Sequence, residues 1–91
     1  MIWCIYCKDK SDSLEVRKAN RQAHIDYLGE NEVLVAGPLL DDDGDMMGSC
    51  ILLEAPDRAA VEAFATNDPY AQAGLFADVT ITGFAKGFWP T

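Results

Sequence analysis

Met1-Ile2-Trp3-Cys4-Ile5-Tyr6-Cys7-Lys8 opens the chain, an almost unbroken run of apolar and aromatic residues. A run this short, rich in Ile and aromatics, reads as a strand covered on both faces, because a half-exposed strand alternates apolar with polar. It is too short to cross a bilayer, and Lys8 and Lys10 follow it, whereas a signal peptide carries its basic residues in front. The segment predicts a central strand, and the rest of the chain must supply what covers it.

Working outward, Asp12 and Glu15 have the spacing of a capping box and predict a helix running to about Gly29. Glu32 to Gly37 predicts a second strand, stopped by Gly37-Pro38. Leu39 to Asp45 is an acidic turn containing Asp-Gly, and Met46 to Ala55 predicts a third strand. Pro56-Asp57 opens a second helix through about Asn67. Asp68-Pro69 interrupts it, since the residue before proline is pushed out of the α region, and a short helical turn follows at Tyr70 to Gly74. Val79 to Phe88 predicts the fourth strand. The order β-α-β-β-α-β, with right-handed crossovers, sets both helices on one face of an antiparallel sheet, the ferredoxin-like α+β arrangement. Residues 1–91 are expected to form one domain.

That arrangement leaves one sheet face uncovered. Trp3, Ile5 and Cys7 point one way and Ile2, Cys4 and Tyr6 the other; Met47, Ile51 and Leu53 likewise oppose Met46, Cys50 and Leu52. Both faces are apolar, yet two helices cover only one. Exposing several large side chains forgoes roughly 1.5–3 kcal/mol each, and contiguous patches of that kind mark interfaces. A homodimer packed through the sheet face is the expected partner arrangement.

The formal charge of −8 and the lack of a long basic cluster argue against nucleic acid and anionic membranes. Cytoplasmic location is the default. Cys4 and Cys7 have C-x-x-C spacing but lie on opposite faces of a strand, where neither a redox motif nor a zinc site is built. Buried free thiols are the better reading. His24 is the sole imidazole, and no Gly-rich dinucleotide loop is present, so neither metal nor cofactor is expected.

Three of the seven basic residues, Arg17, Lys18 and Arg21, cluster in the first helix. On a wheel of 100° per residue, Leu14, Ile25 and Leu28 define the core-facing stripe. Arg17, Arg21 and His24, at i, i+4 and i+7, overlap that stripe instead of the opposite, solvated face. A guanidinium facing a core requires a partner, so this edge should line a pocket or an interface that receives an acid or a small anion. Two readings of His24 stand: a core or interface histidine with satisfied hydrogen bonds, or a titrating group beside an anion site, as acid–base catalysis requires. Asp68 before Pro69 reads first as a helix N-cap. Ser49 is a hydroxyl within an apolar strand and needs a partner; with no Gly-x-Ser-x-Gly elbow it is no nucleophile. Asp41, Asp42, Asp43 and Asp45 lack the Gly and Glu positions of a calcium loop and read as a hairpin.

Taken in order, the apolar first strand, Arg17-x-x-x-Arg21-x-x-His24, Leu34-Val35-Ala36-Gly37-Pro38, Gly48-Ser49 and Asp68-Pro69-Tyr70 resemble the YciI-like (YCII-related) family. The resemblance implies a dimeric α+β barrel and a deep pocket holding a His–Asp pair, which here would be His24 and Asp68. Arg17, Arg21, Ser49, Gly37, Pro38 and Tyr70 are then the expected substrate contacts. Asn31 stands where the family often has glycine, a change the left-handed tolerance of Asn accommodates. The acidic loop Leu39–Asp45 is short, which removes contacts a longer loop would make. One related branch eliminates chloride from chlorinated hydroxyquinol-type rings, and muconolactone isomerases share the barrel.

The expected function is therefore a cofactor-free enzyme doing acid–base proton transfer, by elimination, isomerisation or lyase chemistry, on a small anionic and possibly cyclic molecule. The alternative is a non-catalytic ligand-binding or assembly module, in which Arg17, Arg21 and His24 make structural pairs and Asp68 is only a cap.

Overall fold

Strand β1 (Ile2–Asp9) lies inside the sheet, as its two-faced apolar pattern requires, with β3 (Met46–Glu54) on one side and β4 (Phe76–Phe84) on the other. Strand β2 (Val33–Leu40) completes the four-stranded antiparallel sheet in the order β2-β3-β1-β4. Helix α1 (Leu14–Gly29) connects β1 to β2, and α2 (Arg58–Asn67) with the short α3 (Pro69–Gln72) connects β3 to β4. The structure is a computed structural model that describes residues 1–90.

Register fixes the two faces. Ile5 lies opposite both Ile51 and Ile81, and Trp3 opposite Leu53, so these side chains share one face. There Trp3, Ile5, Cys7, Ile51 and Leu53 pack with Val61 and Phe64 of α2, and Tyr27 and Leu28 of α1 close over them. The helices thus lie on one face, in the ferredoxin-like arrangement. Cys4, Cys50, Leu52, Val35, Leu39 and Phe84 instead line an apolar groove on the other face, with Val35 56% exposed and Phe84 40% exposed. Cys7 is buried under the helices while Cys4 lies on the open side, on opposite faces as strand parity predicted; both thiols are free, but Cys4 is only half-buried, because no helix covers that face.

Four local expectations are corrected. Gly37-Pro38 does not stop β2, which continues to Leu40. Strand β2 is an edge strand, and there a proline with no N–H to donate can face outward without breaking the ladder. Strand β4 spans Phe76–Phe84 instead of Val79–Phe88, because its partner β1 starts at Ile2, opposite Phe84, and offers nothing beyond. A register shift between Lys8 and Asp9 extends the pairing at the other end, to Phe76. The capping box does not form: Asp12 takes a left-handed φ of 56°, and Ser13 stands at the N-cap with its hydroxyl donating to the Ser11 carbonyl and capping no helix N–H.

The fourth correction bears on function. Ile25, expected in the core stripe of α1, is 40% exposed, and the buried residues of the helix are Arg17 and His24. Only Leu28, with Tyr27, supplies apolar cover from the second half of the helix. The helix has turned its polar edge inward, which is possible only because every buried polar side-chain atom among the described residues has a partner.

Candidate functional site

Arg17 lies two turns before His24 on α1, and strand and loop residues answer both. Arg17 Nε and Nη2 donate to Asp9 Oδ2 at 2.7 Å and Oδ1 at 2.8 Å, a bidentate ion pair, and Nη2 also donates to Ser49 Oγ at 2.9 Å. The side chains of Arg17 and Asp9 are 2% and 7% exposed. Burial alone would lower the guanidinium's pKa, but the hydrogen bonds and charge of Asp9 outweigh it and hold Arg17 above its ordinary value. Asp9 was not singled out from the sequence. Its signal was parity: it follows Trp3, Ile5 and Cys7 on the helix-facing side of β1, where a carboxylate must find a cation.

His24 Nδ1 lies 2.8 Å from Asp68 Oδ1, and both side chains are buried. The same Oδ1 accepts the backbone N–H of Tyr70 at 2.9 Å. Asp68 is thus both the cap of α3 and the partner of His24; the two readings of the sequence are one geometry. In a neutral imidazole paired with a carboxylate, which only accepts, Nδ1 is the donor and the lone pair falls on Nε2. The Tyr70 ring stacks on His24 with centroids 3.9 Å apart and planes 17° apart, and the Arg17 guanidinium carbon lies 4.6 Å from the same ring's centroid. Burial raises the Tyr70 phenol above its ordinary pKa despite the opposing pull of Arg17 and Arg21, so it keeps its proton at neutral pH.

These groups meet at a pocket of about 170 Å³ between α1 and the β2 edge, with Arg17, Arg21, His24 and Tyr70 on one side and Gly37, Pro38 and Met46 on the other. An apolar cavity of roughly 150 Å³ accepts benzene, so this one matches a single ring. Arg21 is exposed on α1 and contributes to the lining. Ser49 is buried behind Arg17 and its hydroxyl is engaged there. Among the described residues no group of three His, Cys, Asp or Glu side chains could hold a metal ion, and no helix is long and apolar enough to cross a membrane.

Comparison with known proteins bears on this arrangement. The YCII-related domain model matches residues 1–85. The chain belongs to the YCII-related family. Protein YciI of Escherichia coli O6:H1 (strain CFT073) is 36% identical over a 98-residue alignment spanning 97% of this chain and all of the relative. Among solved structures, the 5-chloro-2-hydroxyhydroquinone dehydrochlorinase TftG of Burkholderia phenoliruptrix AC1100, in complex with 2,5-dihydroxybenzoquinone, is 39% identical. It superposes with a TM-score of 0.88 over 96% of both chains. An antibiotic biosynthesis monooxygenase at 17% identity has a TM-score of 0.55 over 90% of this chain and 94% of its own. At that distance the likeness shows a shared ferredoxin-like α+β fold for this YCII-related chain and nothing about its chemistry.

Proposed function

We propose that the chain is a small-molecule enzyme of lyase type that eliminates HX, with chloride the model leaving group, from a small hydroxylated ring. The observation that carries the reading is the buried His24–Asp68 pair, 2.8 Å apart, at a ring-sized pocket. Likeness to a dehydrochlorinase at 39% identity supports it. Asp68 holds Nδ1–H and so leaves the Nε2 lone pair for the pocket. Nε2 takes a proton from the substrate, the electron pair released enters the ring system, and chloride departs with its bonding pair. The imidazolium then returns its proton to water. The sum is loss of one proton and one chloride ion, with no change that needs an oxidant. A positioned base supplies on the order of 10²–10⁴-fold; the exposed Arg21 at the pocket would stabilise the substrate's oxyanion electrostatically.

Several further parts belong to the same proposal. The apolar groove on the open sheet face, lined by Cys4, Val35, Leu39, Cys50, Leu52 and Phe84, is where a second copy would pack to make a homodimer. Three free cysteines suit a reducing compartment, which we take to be the cytoplasm. A non-catalytic reading draws support from one observation, the engagement of Arg17 by Asp9 and Ser49 instead of by open pocket.

Chloride release from chlorinated hydroxyquinols, followed with purified wild type and His24→Ala, tests the proposal. The wild type is expected to release chloride, and His24→Ala to lose at least a hundredfold in kcat with the oligomer intact. Turnover that survives in His24→Ala would place the base elsewhere. No turnover with any such ring, together with a lowered melting temperature in His24→Ala, would favour the non-catalytic module.

A further inference from the structure

Asp9, Arg17, Tyr70, His24 and Asp68 form one connected cluster, in which Tyr70 touches three of the others and Asp9 reaches it through Arg17. Its backbone N–H donates to Asp68 Oδ1 at 2.9 Å. Its ring lies flush on the imidazole, with centroids 3.9 Å apart. The Arg17 guanidinium also lies over this ring, with Cζ 4.6 Å from the centroid, so two residues of α1 hold it. The helix explains how. Arg17 and His24 are seven residues apart, about 10.5 Å of rise at 1.5 Å per residue, and nearly in line along α1. One aromatic ring fits between two side chains so spaced. Phe76 of β4 meets the edge of the same ring at 82°, with centroids 6.1 Å apart, which limits its sliding. Tyr70 itself is 2% exposed.

We propose that Tyr70 is a positioning residue that holds both members of the His24–Asp68 pair, and that the Asp9–Arg17 ion pair clamps Tyr70 instead of binding substrate. This deepens the acid–base reading of the same site and rests on it. The backbone N–H fixes the Asp68 carboxylate, the ring face fixes the imidazole plane, and together they fix the Nδ1–H tautomer that presents Nε2 to the pocket. Arg17 is suited to the clamp because its planar guanidinium both stacks on the ring and makes the two parallel bonds to Asp9; a lysine could do neither. The work of recognising a substrate anion then falls to Arg21.

The single histidine makes the test direct, since the protein gives one set of imidazole signals in proton and nitrogen-15 NMR spectra. Wild type and Tyr70→Phe, which keeps the ring, are expected to show a downfield, slowly exchanging Nδ1 proton and one tautomer. Tyr70→Leu, which keeps the backbone N–H and removes the ring, is expected to exchange that proton at least tenfold faster and to populate both tautomers, with its helical circular dichroism retained. Arg17→Lys should fall between the two, and it decides the matter if Tyr70→Leu does not fold. An unchanged signal and exchange rate in Tyr70→Leu, or in Arg17→Lys where only that variant folds, would overturn the positioning role. Because the readout needs no substrate, it separates the two levels. Accelerated exchange with turnover unaffected would uphold Tyr70 as the positioning residue and sink the acid–base reading. Where turnover is measurable, kcat is expected to drop in Tyr70→Leu with KM nearly constant, and to be restored in Tyr70→Phe.

Discussion

The two sides of the sheet invert the usual distribution of polarity. On the covered side, α1 buries an arginine, a histidine and the carboxylates they meet; on the open side, Val35 is 56% and Phe84 40% exposed beside Cys4, Cys50 and Leu52. Each departure has a physical reason, and the reasons differ. Charges stay under the helices because each has a partner of opposite sign or a hydrogen bond, and paired groups of that kind build a site. Apolar groups stay in the open because nothing in one chain covers them, and an unmatched apolar face is what a second chain would bury. Polarity alone therefore locates neither the core nor the surface; pairing does.

The strongest way to break the covered side is to remove half of a pair. Asp9→Ala leaves the Arg17 guanidinium buried without its carboxylate, and the expected cost is about 3–5 kcal/mol in urea unfolding. The double change Asp9→Leu with Arg17→Met should cost far less, because no charge is left stranded. If the single change cost no more than the double, the ion pair would not be what permits the inward polar edge.

The two cysteines of β1 sharpen the same contrast through pH. Burial first, then the Asp68 and Asp9 carboxylates, push the Cys7 thiol from its ordinary 9.0 up to about 12. A raised pKa means that the folded state keeps a proton the unfolded chain has lost. The stabilisation is complete below pH 9 and drains away as pH rises towards 12. That span corresponds to roughly 4 kcal/mol at most. Tyr70 and Tyr27, raised by burial, add loss of the same sign above their ordinary 10.0. Cys7→Val, with no proton to hold, should show a shallower alkaline loss in denaturation series from pH 8 to 11. A parallel slope would mean the thiol is not protected. Cys4, on the open face, is raised by burial and by Cys50 Sγ at 3.9 Å, and in the unassembled chain should react with thiol reagents before Cys7 does.

The open face is broken by a charge. Leu52→Lys places an ammonium in the groove and is expected to weaken a sheet-packed dimer at least a hundredfold, read by sedimentation velocity, while the monomer keeps its fold. A hundredfold is about 2.7 kcal/mol. An unaltered assembly would mean that a second copy, if present, sits elsewhere.

How much of this the sequence carried can be read residue by residue. Element order was legible because each turn is marked by its own chemistry, Asp68-Pro69 and Gly44 among them. The limits of β2 and β4 were not, since whether a strand tolerates Pro38 or continues past Phe84 depends on which strand lies beside it. The inward face of α1 was half legible. Arg17 and His24 stood out as polar residues on the wrong side, but hydrophobicity promoted Ile25 to the core in their place. The partners complete the picture, and they lie outside the helix: Asp9 reaches Arg17 from the end of β1, eight residues back, and Asp68 reaches His24 across 44 residues of chain. Only the family resemblance named Asp68 as a partner, and the strand parity that puts Asp9 on the helix side of β1 does not say which cation it meets.

The smallest expected effect separates two arginines that a sequence treats alike. Arg17 and Arg21 are one helical turn apart, yet the first is 2% exposed and bonded to Asp9 and Ser49, while the second is exposed at the pocket. An exposed side chain contributes little to folding, so Arg21→Gln should change stability by no more than about 0.5 kcal/mol. Its loss should be felt by an anion instead. Binding of a small hydroxyquinone, followed by isothermal calorimetry, is expected to weaken about tenfold in Arg21→Gln and to lose most of its dependence on salt, because an exposed charge acts through a screened field. The opposite result, a marked loss of stability with affinity intact, would make Arg21 a second structural cation and return the anion site to Arg17. That would extend the rule of the covered side, where charge is paired, all the way to the pocket mouth.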